Sequence, residues 1–256
     1  MVGKLGKATS NFGGAFLGGK EKEADQLVIL LIGLSYLSGS IPFGWITVKR
    51  LTGVDLRKVG SGATGATNVY RVLKGIIGAH KALFWALFAG LSDILKALLP
   101  TLLIAHLYPD RQWLHLLVGA SVVLGHTKPA FLGFHGGKAV SVSLGALLAL
   151  AFNEPNIWLV LAIALTVFCG AVVLTGFVSV GSLSGSLVGA LASIIFRIIG
   201  LLSSWYVLGM VIAAAYIWLM HKENIARLRR REELSTGREI LERVIGPVAR
   251  LFGRWG

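Results

Sequence analysis

Charge is scarce in this chain. Only 14% of its 256 residues are Asp, Glu, Lys or Arg, against about 25% in ordinary soluble domains. With 55% hydrophobic residues and a mean hydropathy of +0.74, that shortage excludes a disordered chain, a collagen, a coiled coil and an ordinary soluble globular domain. Acidic residues are the rarer sign: 12 Asp and Glu face 25 Lys and Arg, for a net charge of +13. Cysteine is nearly absent. Cys169 has no partner for an internal disulfide, lies in an apolar run and reads as packing. A paired-cysteine metal site is excluded on the same count.

What the chain does have is long apolar runs. A membrane-crossing helix takes about 20 such residues. The runs cover about 27–48, 80–107, 113–132, 139–152, 157–175, 187–199 and 204–220. The first holds Gly33, Gly39, Pro42 and Gly44, so its second half is expected to kink or pack tightly. The sixth is short for a crossing unless it starts in the Gly- and Ser-rich stretch 175–186, read here as a loop. Asp93 and Lys96 lie one turn apart in the second run and can pair on one face. Such a pair is either functional or a structural tie.

These runs predict an all-α integral membrane protein with seven transmembrane helices, the N-terminus outside and the C-terminus cytoplasmic. Residues 1–26 read as a mobile tail without a cleaved signal peptide, 27–233 as the membrane domain and 234–256 as a charged tail. The orientation comes from the charges. With the polar loop 49–75 inside, 17 Lys and Arg fall in cytoplasmic loops and the C-terminal tail, and 5 fall outside. That asymmetry explains most of the net charge through anionic lipid, with no nucleic acid needed.

Under this topology three stretches rich in Gly, Ser and Thr share the cytoplasmic side. The first is Gly60-Ser61-Gly62-Ala63-Thr64-Gly65-Ala66-Thr67-Asn68, with Arg71 following. Glycine lets backbone N–H groups approach an anion, hydroxyls add donors, and an arginine fork matches a phosphate. No Gly-Lys-Ser or Gly-Lys-Thr follows, so it is not a nucleotide P-loop. The second ends His135-Gly136-Gly137-Lys138, where two glycines before a lysine again suit phosphate; Lys138 could equally be an interfacial lysine. His126 and His135 lack the carboxylates that would make a metal site, and no metal or cofactor is expected. The third offers Ser179, Ser182, Ser184 and Ser186, residues that also suit helix packing. His221-Lys222-Glu223-Asn224 stands where the last run meets water.

Taken together, these residues resemble the PlsY family of bacterial membrane acyl-phosphate:glycerol-3-phosphate acyltransferases. The resemblance rests on GSIPFG (39–44), VDLRKVGSG with GATNVYR (54–62 and 65–71), DILK (93–96), LGHTKPAFLGFHGGK (124–138), FVSVGS (177–182) and HKENIARL (221–228), in that order. It implies a multi-pass enzyme of the bacterial inner membrane with its active site at the cytoplasmic face. Such an enzyme moves a fatty acyl group from acyl phosphate to the 1-hydroxyl of glycerol 3-phosphate, giving lysophosphatidic acid and phosphate for phospholipid synthesis. It implies no cofactor, acyl phosphate, glycerol 3-phosphate and membrane lipid as partners, no nucleic acid, and a monomer. By the same resemblance His221, Asn224 and Lys138 act at the reacting centre. Ser61, Gly62, Asn68, Arg71, Gly136, Gly137, Lys138 and Ser179 bind substrate phosphates. The chain departs from the family pattern at Ala63 (usually Asn), Ala97, Ala139, Val142 and Gly176-Phe177 (usually Arg-Tyr). Those at Ala63, Ala139 and Gly176 favour an alternative, a non-catalytic lipid- or phosphate-binding protein of the same fold. A transporter would need polar residues through several spans, and only Asp93 and Lys96 come near that.

Overall fold

A computed structural model describes residues 26–237 and 239–240. The tail expected over 1–26 lies outside the described residues except for Gln26, as does the C-terminal tail beyond 240. All regular structure among the described residues is helical. The helices are α1 (26–40), α2 (Phe43–Thr52), α3 (Ala66–Ile77), α4 (Ala79–Leu107), α5 (Gln112–Thr127), α6 (Val140–Ala151), α7 (Asn156–Thr175), α8 (Val178–Ile198), α9 (Ser204–Met220) and α10 (Lys222–Arg229). Central α4 packs against α3, α5 and α6; α8 lies between α7 and α9.

Four stretches are long and apolar enough to cross a membrane: Gln26–Thr52, which joins α1 and α2, then α4, α7 and α8. α9 and α10 make a fifth if the 55° bend between them is taken within one span. α5 and α6 are shorter, at 16 and 12 residues. Leu174 and Ile198 are 82% and 78% exposed, the outward apolar surface of a bundle whose solvent is lipid. This is a multi-pass membrane protein.

The kink expected in the first run is the break at Ile41–Pro42 between α1 and α2. Helices approach closely through small residues: a Cβ at Gly39 would sit 2.2 Å from the Val122 carbonyl oxygen, and one at Gly145 the same distance from that of Ile94. In lipid such backbone proximity holds helices together, because apolar burial gains little there.

Asp93 and Lys96 pair at 2.8 Å with side chains 2% and 3% exposed. The Lys96 ammonium also donates to the Ile41 carbonyl oxygen at 2.8 Å and lies 3.1 Å from His126 Nδ1. The pair therefore fastens the α1–α2 break to α4 and α5. A second tie follows from Pro100 inside α4. Proline has no N–H for the carbonyl of Lys96, four residues back. Ser38 Oγ donates to that carbonyl instead, at 3.1 Å.

Two stretches differ from the sequence expectation. Residues 178–186 are not loop but the first turns of α8, so the sixth span starts in the Ser-rich stretch and reaches 21 residues. The hydroxyls of Ser182 and Ser184 donate back to carbonyls four residues earlier, satisfying themselves without opening the helix. The polar stretch 49–75 is not all loop: it takes in the end of α2 and most of α3, whose Val69, Tyr70 and Leu73 are fully buried. Its apolar face is helical in period but too short to announce itself as a span.

Candidate active site

Four separate segments converge on one cavity of about 190 Å³. Its lining includes Ser61, Asn68, Arg71, Lys138, Ser179, His221 and Asn224, which are the polar side chains singled out in the sequence. They come from the loop before α3 together with α3 itself, the loop before α6, the start of α8 and the α9–α10 bend.

Asn68 organises the first segment. Its side-chain oxygen accepts the Ser61 N–H at 2.9 Å, while its Nδ2 donates to the carbonyls of Val59 (3.1 Å) and Ala63 (2.9 Å). Gly60, at φ +62°, allows this fold-back: a Cβ there would lie 2.1 Å from Asn68 Oδ1. Gly62 N–H donates to Val59 O at 3.1 Å. This loop and the α3 that follows it bring Ser61, Thr67 and Arg71 to the cavity.

In the second segment Gly136 and Gly137 press on His126. A Cβ at Gly137 would come 1.9 Å from His126 Nε2, and the Gly137 N–H donates to His126 O at 3.0 Å. These glycines make room for the imidazole and aim Lys138; neither is among the cavity-lining residues. Ala139, where the family pattern carries glycine, holds the left-handed conformation at φ +69° while fully buried. The loop thus keeps a glycine-like backbone without a glycine, at a cost of about 1–2 kcal/mol.

The third segment joins the others through an acid that the sequence reading passed over. The Glu233 carboxylate accepts from Ser179 Oγ (3.0 Å), Asn224 Nδ2 (2.6 Å) and Arg227 Nε (2.8 Å). Asn224 in turn accepts from Lys138 Nζ at 2.5 Å. Burial, then the nearby Arg227 charge, pulls the Lys138 ammonium down to about 8, against the opposing pull of Glu233 and Glu223. Burial also lowers Arg71 from its usual value, with Glu233 opposing. His221 Nδ1 lies 2.8 Å from the Ile217 carbonyl. A carbonyl partner requires the proton on Nδ1, so Nε2 of the neutral ring is an acceptor.

Glu233 lies twelve residues past His221 in a charged stretch, with nothing local to distinguish it from Glu232. Thr236 was missed for the same reason; its Oγ1 accepts from Arg71 Nε and Nη2 at 3.0 and 2.8 Å. His126 lines the cavity, whereas His135 is exposed and bonds to Gly133 O. Among the described residues no group of three or more His, Cys, Asp or Glu could hold a metal ion.

The arrangement suits two anions beside an apolar channel. Arg71 and Lys138 supply positive charge, Ser61 and Ser179 supply hydroxyls, and His221 and Asn224 stand between them. A second cavity, of about 140 Å³ between α6, α7, α8 and α9, shares Val140, Phe168 and Ser182 with the polar one. It is lined mainly by Leu, Val and Ala and would take an acyl chain.

Comparison with known proteins gives the same direction. Residues 29–231 match the family model described as glycerol-3-phosphate acyltransferase. A glycerol-3-phosphate acyltransferase of Nostoc sp. is 36% identical over 222 residues, covering 81% of this chain and 91% of that protein. One from Desulfotalea psychrophila is 40% identical over 214 residues, covering 79% and 94%. The crystal structure of PlsY (YgiH), an integral membrane glycerol 3-phosphate acyltransferase, in its glycerol 3-phosphate form superposes with a TM-score of 0.69 at 31% identity, over 81% of this chain and 94% of that one. Its lysophosphatidic acid form gives 0.66 at 29% identity over the same shares. With most of its length matched in sequence and in structure, this chain belongs to the glycerol-3-phosphate acyltransferase family.

Proposed function

We propose that this protein acylates the 1-hydroxyl of glycerol 3-phosphate with a fatty acyl group from acyl phosphate, releasing lysophosphatidic acid and phosphate. The observation that carries it is the junction of a cationic, hydroxyl-lined cavity with an apolar one through Val140, Phe168 and Ser182. Acyl phosphate has that shape, an anionic head on a long apolar tail.

Acyl phosphate is a mixed anhydride, so no enzyme-bound acyl intermediate is needed. The 1-hydroxyl oxygen attacks the carbonyl carbon, the carbon–oxygen bond to phosphate breaks, and the hydroxyl proton passes to a phosphate oxygen. The protein's task is to hold two phosphates, align the hydroxyl and stabilise developing charge. Arg71, Lys138 and Ser61 clamp phosphate on an Asn68-built loop, with Gly62, Gly136 and Gly137 shaping the loops around them. Ser179 binds the acyl-phosphate end. His221 and Asn224 orient glycerol 3-phosphate at the reacting centre. The membrane arrangement we propose has seven spans in the bacterial inner membrane, the N-terminus outside, and the site and C-terminus cytoplasmic. The excess of Lys and Arg on one side supports it, and a monomer is the simplest unit that contains the whole site.

The test is purified protein in detergent with labelled glycerol 3-phosphate and either acyl phosphate or acyl-CoA. Transfer from acyl phosphate alone is expected. Transfer from acyl-CoA alone would reject the donor and spare the family. Transfer from neither would move the weight to a non-catalytic lipid- or phosphate-binding role, which Ala63, Ala139 and Gly176 favour.

A further inference from the structure

The family match ends at residue 231, but the folded chain continues across the site. Arg231 turns at φ +60°, and the Glu232 N–H donates to Arg227 O at 2.8 Å, which sends the backbone back over the bundle. Leu234 lines the polar cavity. Thr236, 3% exposed, places Oγ1 against Arg71 Nε and Nη2. Gly237 donates its N–H to Gly176 O at 3.0 Å; a Cβ at Gly237 would stand 2.7 Å from that oxygen. Glu239 accepts from Tyr70 at 3.0 Å and pairs with Lys74, both on α3. Ile240 packs on the cluster formed by Val48, Leu56, Val69 and Tyr70.

The contact with Arg71 has chemical meaning. Nε and Nη2 form one edge of the guanidinium fork, and such an edge takes two oxygens of a phosphate in parallel. Here a single neutral hydroxyl oxygen occupies it. The third nitrogen, Nη1, reaches Asn68 Oδ1 at 3.4 Å. The arginine read as the phosphate fork is thus engaged by a side chain from the chain's own extension. Ser179 is engaged in the same way by Glu233.

We propose that residues 232–237, anchored beyond by Glu239 on α3, are an autoinhibitory strap that competes with an anionic substrate for Arg71. This rests on Arg71 as a phosphate ligand. A neutral hydroxyl holds the fork in the resting protein. A phosphate outcompetes it because it brings opposite charge and two oxygens to the fork, where the hydroxyl brings one neutral oxygen. The strap therefore raises the substrate concentration needed to fill the site without blocking it.

The test uses the full chain in detergent and its Thr236→Val variant, which keeps shape and removes the hydroxyl. Each is titrated with glycerol 3-phosphate and with inorganic phosphate by calorimetry. Thr236→Val is expected to bind roughly 3- to 10-fold tighter, about the net worth of one hydrogen bond. Equal or weaker binding by Thr236→Val overturns the strap. Arg71→Ala in the same titration separates the two ideas: if Thr236→Val binds no tighter, weaker binding by Arg71→Ala leaves the phosphate clamp standing without the strap, and unchanged binding by Arg71→Ala drops both. Hydrogen exchange over residues 232–237 gives a second reading. Faster exchange at saturating glycerol 3-phosphate is expected of a displaced strap, and slower exchange, the mark of a segment that closes over ligand, overturns it.

Discussion

Lys138 donates a 2.5 Å hydrogen bond to the side-chain oxygen of Asn224, 86 residues further along the chain. The bond joins the loop before α6 to the helix after the α9–α10 bend. It also holds a cation in a place where burial and a neighbouring arginine make the charged form costly.

A pH dependence follows. With its ammonium pulled down to about 8, Lys138 loses charge as pH rises through that region, and kcat/KM should decline on that alkaline limb. Below it the lysine is charged and this limb is flat. Lys138→Arg, charged throughout, should have a lower maximum but a plateau reaching higher pH. An unchanged alkaline limb in Lys138→Arg would assign the decline to another group.

Removing either cation tests the phosphate clamp. Lys138→Ala and Arg71→Ala each delete charge-assisted bonds worth roughly 1.5–3 kcal/mol, about 10- to 150-fold in kcat/KM. Arg71→Lys should recover only part, because an ammonium lacks the fork. Steady-state phosphate release, after each variant is confirmed to be folded, measures this. Near wild-type values in both would sink the phosphate clamp.

The buried pair in α4 can be tested through stability. Asp93→Leu or Lys96→Leu alone leaves an unpartnered buried charge and should destabilise by on the order of 3–5 kcal/mol. The double replacement should lie closer to wild type than either single one. Thermal unfolding in detergent would decide, and singles as stable as wild type would remove the pair from the structural account.

Membrane orientation can be read with single cysteines after Cys169→Ala, since Cys169 is itself exposed. Lys58 and His135 are exposed near the site and Asp110 is exposed in the α4–α5 turn. Cysteines at 58 and 135 should react only from the cytoplasmic side and one at 110 only from outside. The reverse pattern would invert the topology.

The sequence made the long helices legible because lipid-crossing length is written in uninterrupted apolar residues. α4, α7 and α9 begin and end within a residue or two of the runs that announced them. The polar side chains of the site were legible too, because Ser61, Arg71, Lys138 and His221 stand out in glycine-rich or interfacial settings. Serine at 182 and 184 misled, since composition resembles a loop while the hydroxyls are satisfied inside the helix. Glu233 and Thr236 were invisible for a different reason. Their partners are set by the turn at Arg231, where a non-glycine residue adopts φ +60°, and no residue pattern marks such a turn.

The placement of Asp93 and Lys96 on a single helix bears on how the chain is made. Emerging residues enter the bilayer before later helices exist, and a lone charge at that moment would resist insertion. Three residues apart, these two can neutralise one another within α4 as it leaves the ribosome. The carbonyl of Ile41 has already been synthesised by then, so the ammonium can find its second partner. Only the contact with His126 must wait for α5. The order of the contacts along the chain is also a workable order of assembly.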